Sequence, residues 1–131
     1  MTAITVGTVS HGSNADLDFG PCSAALSAGD VLYESGTDML AADADASASA
    51  VVKGIAVVDA AAGSSVLYIK SGDIVFTGSP LTTGTEYYLG TTAGTIVPKA
   101  DLGSGDYVTL LGIATDANTL RVGIVPYGIT I

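Results

Sequence analysis

Val51-Val52-Lys53-Gly54-Ile55-Ala56-Val57-Val58-Asp59, followed by Val66-Leu67-Tyr68-Ile69-Lys70-Ser71-Gly72-Asp73-Ile74-Val75-Phe76-Thr77, is the stretch on which the fold turns. Its apolar runs are short, rich in β-branched residues and closed by Gly, Ser and Asp, the texture of strands and turns rather than of helices. Val51–Val58 reads as the most apolar strand. Val66–Lys70 and Ile74–Thr77 flank Ser71-Gly72-Asp73, which reads as a hairpin turn with Gly where a positive φ is needed.

The same texture extends outward. Gly29-Asp30 turns into Val31-Leu32-Tyr33, and Ser35–Asp38 turns into Met39-Leu40-Ala41. Ala42–Ala50 is a loop or one helical turn, since Ser and Asp compete with the helix for backbone hydrogen bonds. On the other side lie Glu86–Leu89, Thr95–Val97, Tyr107–Thr115 and Thr119–Tyr127, each introduced by a Gly- or Asp-led turn. Pro126 suits a strand end or an edge, because it cannot donate to a ladder. Ala28-Gly29-Asp30-Val31-Leu32-Tyr33 matches Thr83-Gly84-Thr85-Glu86-Tyr87-Tyr88, and Gly54-Ile55-Ala56 matches Gly112-Ile113-Ala114. These echoes suggest two halves related by a pseudo-twofold axis; the alternative is that any Gly-rich barrel shows them.

Residues 1–27 read as an N-terminal arm and lead-in strand, with Ile4 and Val6 on one face, a turn region His11–Asp16 and a further run at Leu17–Phe19 before Gly20-Pro21. Residues 28–131 read as the body. The expected architecture is all-β: a small β-barrel or β-tulip-like domain, with two pseudo-repeated halves and an extended N-terminal arm. Its expected core comprises Val31, Tyr33, Ile55, Val57, Val66, Tyr68, Phe76, Val108, Leu110, Leu120 and Val122.

A chain of 131 residues suits a single domain with its own core. The sequence is 48% apolar, with 17 Gly, no Trp and two Phe. Thirteen acids against four bases give a net charge of −9. Phosphate backbones are bound by neutralising them with Lys and Arg. Lys53, Lys70, Lys99 and Arg121 are too few and too scattered, so the expected partners include neither nucleic acid nor an anionic membrane. The acidity serves solubility and equally suits a basic protein surface. Met1–Gly12 carries no basic leader ahead of an apolar core, and no apolar stretch reaches the roughly 18 residues of a membrane span. The expectation is a soluble protein made in a cytoplasm.

Chemistry finds little purchase. His11, the only histidine, lies in a turn where a solvated side chain is the default, and Cys22, the only cysteine, excludes an internal disulfide. Together they form a conceivable nucleophile and base, but both sit in the least core-like segment. Zinc needs about four His or Cys ligands. Asp16/Asp18, Asp38, Asp43/Asp45 and Asp59 offer carboxylates to calcium but lack the spacing of a calcium loop, so solvated acidic loops are expected. Gly103-Ser104-Gly105 lacks the Lys-Ser/Thr of a phosphate loop. No cofactor, no metal and no catalytic residue is expected; the chain reads as a non-enzyme that works through its surfaces.

Leu26-Ser27-Ala28-Gly29-Asp30-Val31-Leu32-Tyr33, an Ala-rich link, Val52–Asp59 and Val66–Gly72 together resemble the head decoration proteins of lambda-like phages and the wider group of small phage capsid cement proteins. The resemblance covers Leu26–Thr77, with a looser echo over Leu81–Val125, and the C-terminal half is longer than in the lambda-like pattern. It implies a structural virion protein that binds the outer surface of a phage capsid and stabilises the shell. It also implies the major capsid protein as partner, self-association as a homotrimer, and a place on the virion after assembly in the host cytoplasm. An arm with β propensity can add to a partner's sheet edge, and Thr2, Ile4, Val6 and Val9 are the capsid-contact candidates. An ordinary first strand is the alternative for the same residues. The competing function is a fibre or tail-associated module that binds host-surface glycans through tyrosines such as Tyr87, Tyr107 or Tyr127.

Overall fold

Twelve residues, Ser65–Phe76, form one long strand, and the rest of the molecule is organised around it. In the computed structural model, which describes residues 4, 8–44 and 50–130, the strands are β1 (Val9–His11), β2 (Asp16–Pro21), β3 (Val31–Ser35), β4 (Asp38–Ala41), β5 (Val52–Ala56), β6 (Ser65–Phe76), β7 (Glu86–Leu89), β8 (Ile96–Pro98), β9 (Tyr107–Ala114) and β10 (Thr119–Thr130). They make a single ten-stranded sheet in the order β4-β3-β5-β6-β10-β9-β7-β8, with β1 and β2 paired to β6. Every pairing is antiparallel, and the sheet curls into a half-barrel, as expected of a small all-β domain.

The hairpin expected at Ser71–Asp73 does not form. Gly72 has the positive φ that a turn would use, 96°, but the strand runs on through it to Phe76. A Cβ at Gly72 would lie 2.5 Å from the carbonyl oxygen of Asn14 and 2.7 Å from Ala15 Cα. The glycine admits the loop between β1 and β2 against the strand, with the Asp73 N–H donating to Asn14 Oδ1 at 3.1 Å. The pairing register slips at this point, from Asp16↔Ser71 to Leu17↔Ile69. Such a bulge changes which side chains face inward: Leu67 and Ile69 contact the main core before it, Ile74 and Phe76 after it.

The echo between the two halves corresponds to a repeated hydrogen-bond pattern. Gly29 N–H donates to Ala56 O at 2.7 Å and Gly84 N–H to Ala114 O at 2.8 Å; Ala56 N–H returns to Asp30 O at 2.8 Å and Ala114 N–H to Thr85 O at 3.0 Å. Leu32 lies opposite Gly54 and Tyr87 opposite Gly112, and each pairing then skips one residue, to Tyr33↔Val52 and Tyr88↔Leu110. Strand order supports the same relation, because β4-β3-β5-β6 is mirrored by β8-β7-β9-β10 across the β6–β10 junction. Gly54 and Gly112 play one role: a Cβ at either would collide with the backbone of the neighbouring strand, at Ile69 and Arg121 respectively.

The main core lies inside the curl and joins both halves, with Val31, Ile55, Ile69, Ile74 and Phe76 from one and Leu89, Ile96, Leu111, Leu120 and Val122 from the other. A second cluster, Cys22, Leu26, Leu32, Met39, Ala56, Ala60, Val66 and Tyr68, covers the opposite face of the first half. Most of the expected core is buried, Tyr33 partly. Val108 and Leu110 are the exceptions, half-buried while Thr109 and Leu111 take the inward positions. Tyr107–Leu111 offers bulk on both faces, so alternation alone does not set its phase. Thr109 is 1% exposed and its hydroxyl donates to Ala50 O at 2.6 Å, which satisfies a hydroxyl that burial would otherwise penalise.

Candidate functional site

The arm is largely built into the sheet. Val9 pairs with Phe76, Ile4 N–H donates to Ile96 O at 3.0 Å, and both side chains pack partly buried against the main core. Thr2 and Val6, the other capsid-contact candidates, lie outside the described residues. β2 pairs with β6 from Asp16 to Pro21, so the division drawn at residue 27 does not separate an arm from a body.

His11 and Cys22 are not brought together. His11 is exposed beside Ile74, whereas Cys22 N–H donates to Ser64 O, ten residues back along the chain and on the order of 30 Å away at about 3.3 Å per strand residue. The Cys22 thiol is buried and donates to Ala61 O at 3.4 Å and Ser64 O at 3.5 Å. It is a packed side chain in the second cluster.

The acids are spread over turns and strand faces. Asp16 and Asp18 flank Lys70, with Nζ at 3.8 and 3.7 Å from their carboxylates. Asp59 Oδ1 accepts from Ala28 N–H at 2.8 Å, and Asp30 Oδ2 from Ser27 N–H at 2.9 Å. Burial pushes the Asp30 carboxyl above its ordinary pKa and nearby Asp59 adds to this, against the lowering effect of the Ser27 hydrogen bond. Among the described residues no three His, Cys, Asp or Glu side chains gather as a metal would require; Asp45 lies outside them.

The tyrosines proposed for glycan contact separate as well. Tyr87 is buried and its hydroxyl accepts from Thr82 N–H at 2.9 Å. Tyr107 is half-buried, and only Tyr127 of the three is exposed.

Two surfaces stand out instead. The first is the β2 edge, where Phe19 is 69% exposed; among the described residues β2 pairs with β6 alone. The second is a groove of about 420 Å³ lined by Tyr88, Lys99, Leu102, Val108, Tyr127 and Ile129. Burial raises the Tyr88 hydroxyl's pKa, with Glu86 and Tyr127 contributing. The exposed side chains of both surfaces were legible only as apolar strand residues, since alternation does not say which face stays uncovered.

No protein-family model matches the sequence, and no curated protein matches it.

Proposed function

We propose that this chain is a structural protein that binds the outer surface of a phage capsid and stabilises the shell. The reading starts from the likeness of Leu26–Thr77 to the lambda-like decoration proteins. The observation that carries it is the β2 edge: Phe19, the most exposed large apolar side chain among the described residues, stands on a strand with one side unpaired among those residues. Asp16 and Asp18 lie on the same strand beside Lys70, on the face opposite Phe19. A buried aromatic anchor is the usual energetic centre of a protein contact. An acidic edge suits a basic patch on the capsid protein, and such a contact weakens as salt rises.

The test is co-sedimentation of the purified protein with expanded phage shells stripped of their decoration protein, together with the melting temperature of those shells. Binding that raises the melting temperature, and is lost in Phe19→Asp, supports the assignment. A folded protein that leaves shells unbound and their melting unchanged refutes it.

A further inference from the structure

The groove beside the end of β10 differs from the rest of the surface in both shape and charge. Buried Tyr88 of β7 and half-buried Val108 of β9 form its floor, and its volume is about 420 Å³. Register explains one wall. β10 lies opposite β9 at Pro126↔Thr109 and next at Thr130↔Tyr107, so it advances four residues while β9 advances two. Such a surplus bends a strand, and it carries Tyr127 and Ile129, 49% and 62% exposed. The other wall follows β8, where the chain leaves Pro98, makes a short 3-10 turn over Lys99–Asp101 and reaches Leu102. β8 and β10 are three strand steps apart in the sheet, so the walls stand up to roughly 14 Å from one another. A ring or a branched chain fits between them.

The polar groups that meet here can all donate. Among the described residues, Lys53 lies 3.9 Å from Glu34, Lys70 lies 3.8 and 3.7 Å from Asp16 and Asp18, and Arg121 lies 3.1 Å from Asp73. Lys99 is the one cation of the four with no ion pair among those residues, in a chain of net charge −9. It lines the groove, and no acid does. Glu86 touches this site only through Tyr88, whose hydroxyl donates to Glu86 Oε1 at 3.4 Å. The hydroxyls of Tyr127 and Thr130 complete the set. An ammonium beside hydroxyl donors is complementary to an anionic oxygen group. Small-ligand sites are mostly apolar hollows of about 300–1,000 Å³ with a few convergent polar groups, and this groove matches the lower part of that range.

We propose that the groove is a binding site for a small amphiphilic carboxylate, its carboxylate on Lys99 Nζ and its apolar body between Tyr88, Val108 and Tyr127. The two tyrosine rings favour an aromatic body, which packs against them edge to face or offset. A cationic ligand would meet Lys99 as a like charge. A sugar would set hydroxyls against Leu102, Val108 and Ile129, which offer them no side-chain partner. The site is separate from the β2 edge and does not depend on the shell assignment.

Amide chemical shifts of the isotope-labelled protein, titrated with hydrocinnamate, test it. The expected result is saturable change confined to Tyr88, Lys99, Val108, Tyr127 and their neighbours, with a dissociation constant on the order of 1 mM for a ligand of that size. Hydrocinnamyl alcohol keeps the apolar body and lacks the charge. It is expected to move the same residues and to bind about fivefold more weakly, a difference that shrinks as salt rises. Lys99→Met is expected to lower the acid to the alcohol's affinity and to leave the alcohol's unchanged. Its melting temperature is expected to stay that of the wild type, since Lys99 is exposed. Phe19→Asp is expected to bind the acid normally. Absence of saturation at about 10 mM acid overturns the proposal. So does equal affinity for acid and alcohol at low salt, unchanged acid binding in folded Lys99→Met, or a response centred on another surface. Loss of shell binding with hydrocinnamate binding retained counts against the shell assignment alone.

Discussion

Gly54→Ala tests the close approach of β5 and β6 directly. An added Cβ would stand 2.5 Å from both Ile69 O and Tyr68 Cδ2, whereas ordinary contact begins at 3.4 Å, so the strands must part by roughly 0.9 Å. Two residue pairs, Ile55↔Ile69 and Ala56↔Tyr68, join β5 to β6, with Val57 N–H donating to Leu67 O just beyond, so the opening falls on a short junction. Overpacking of this kind costs about 1–3 kcal/mol, and each weakened backbone hydrogen bond adds about 0.5–1.5 kcal/mol. A loss of about 2–4 kcal/mol follows, which at about 3–5 °C per kcal/mol lowers Tm by about 6–20 °C. Gly112→Ala, in the equivalent place on β9, is expected to cost a similar amount. Gly123→Ala is the control: nothing lies within 4 Å of its Cβ position, so it is expected to be neutral or slightly stabilising. Thermal melts by circular dichroism, with urea titration for the free energies, give the comparison. Equal stability of Gly54→Ala and Gly123→Ala would refute the steric account of the repeated glycine.

Three further outcomes are expected. Thr109→Val leaves Ala50 O without its buried hydroxyl partner and is expected to cost about 1–3 kcal/mol in a urea titration, with Thr109→Ser losing less. Phe76→Ala, which empties a fully buried site beneath β1 and β10, is expected to cost about 3–5 kcal/mol in the same titration. The pH dependence carries two opposed contributions. Asp30, held above its ordinary pKa of 3.8 by burial, binds its proton more tightly when folded, so its contribution to stability grows as pH falls through the raised pKa. Asp116 is held low by the N–H groups of Asn118 and Thr119. Its contribution is present above the unfolded pKa and is lost as pH falls through the folded one. Melts of Asp30→Asn and Asp116→Ala across pH 2–7 separate the two, each variant removing one slope.

Much of this sheet is legible in the sequence because its turns are chemically marked. Gly29, Gly36, Gly84 and Gly94 all have positive φ and bracket β3, β4, β7 and β8, so Gly-led punctuation locates these strands. Gly72 misleads for the same reason. A Ser-Gly-Asp between two apolar runs satisfies a tight turn and a mid-strand bulge equally well, and the choice depends on the Asn14–Ala15 backbone packed against it. The phase of β9 is hidden because Val108 and Leu110 are as apolar as the inward Leu111, and the buried hydroxyl of Thr109 finds its partner 59 residues away. Neither surface feature is legible from strand propensity, which does not say which face of a strand stays uncovered at Phe19 or Tyr127. The separation of His11 from Cys22 likewise follows from where β1 and β2 land along β6, which is a matter of register.

The long central strand has a kinetic consequence. β6 is flanked by β1 and β2, from the beginning of the described chain, and by β5 and β10, the latter beginning at Thr119. Val75 must therefore meet Ser10 and Thr119, partners 65 and 44 residues away in opposite directions. Loops of that size close before any contact rewards them, which places folding of such topologies in the millisecond-to-second range. On a ribosome, β6 emerges with one flank ready and waits for β10 to complete the other. During that interval the inward side chains of Ile74 and Phe76 lack Leu120 and Val122. Translation speed between Phe76 and Val122 thus sets how long the nascent strand is open to wrong partners.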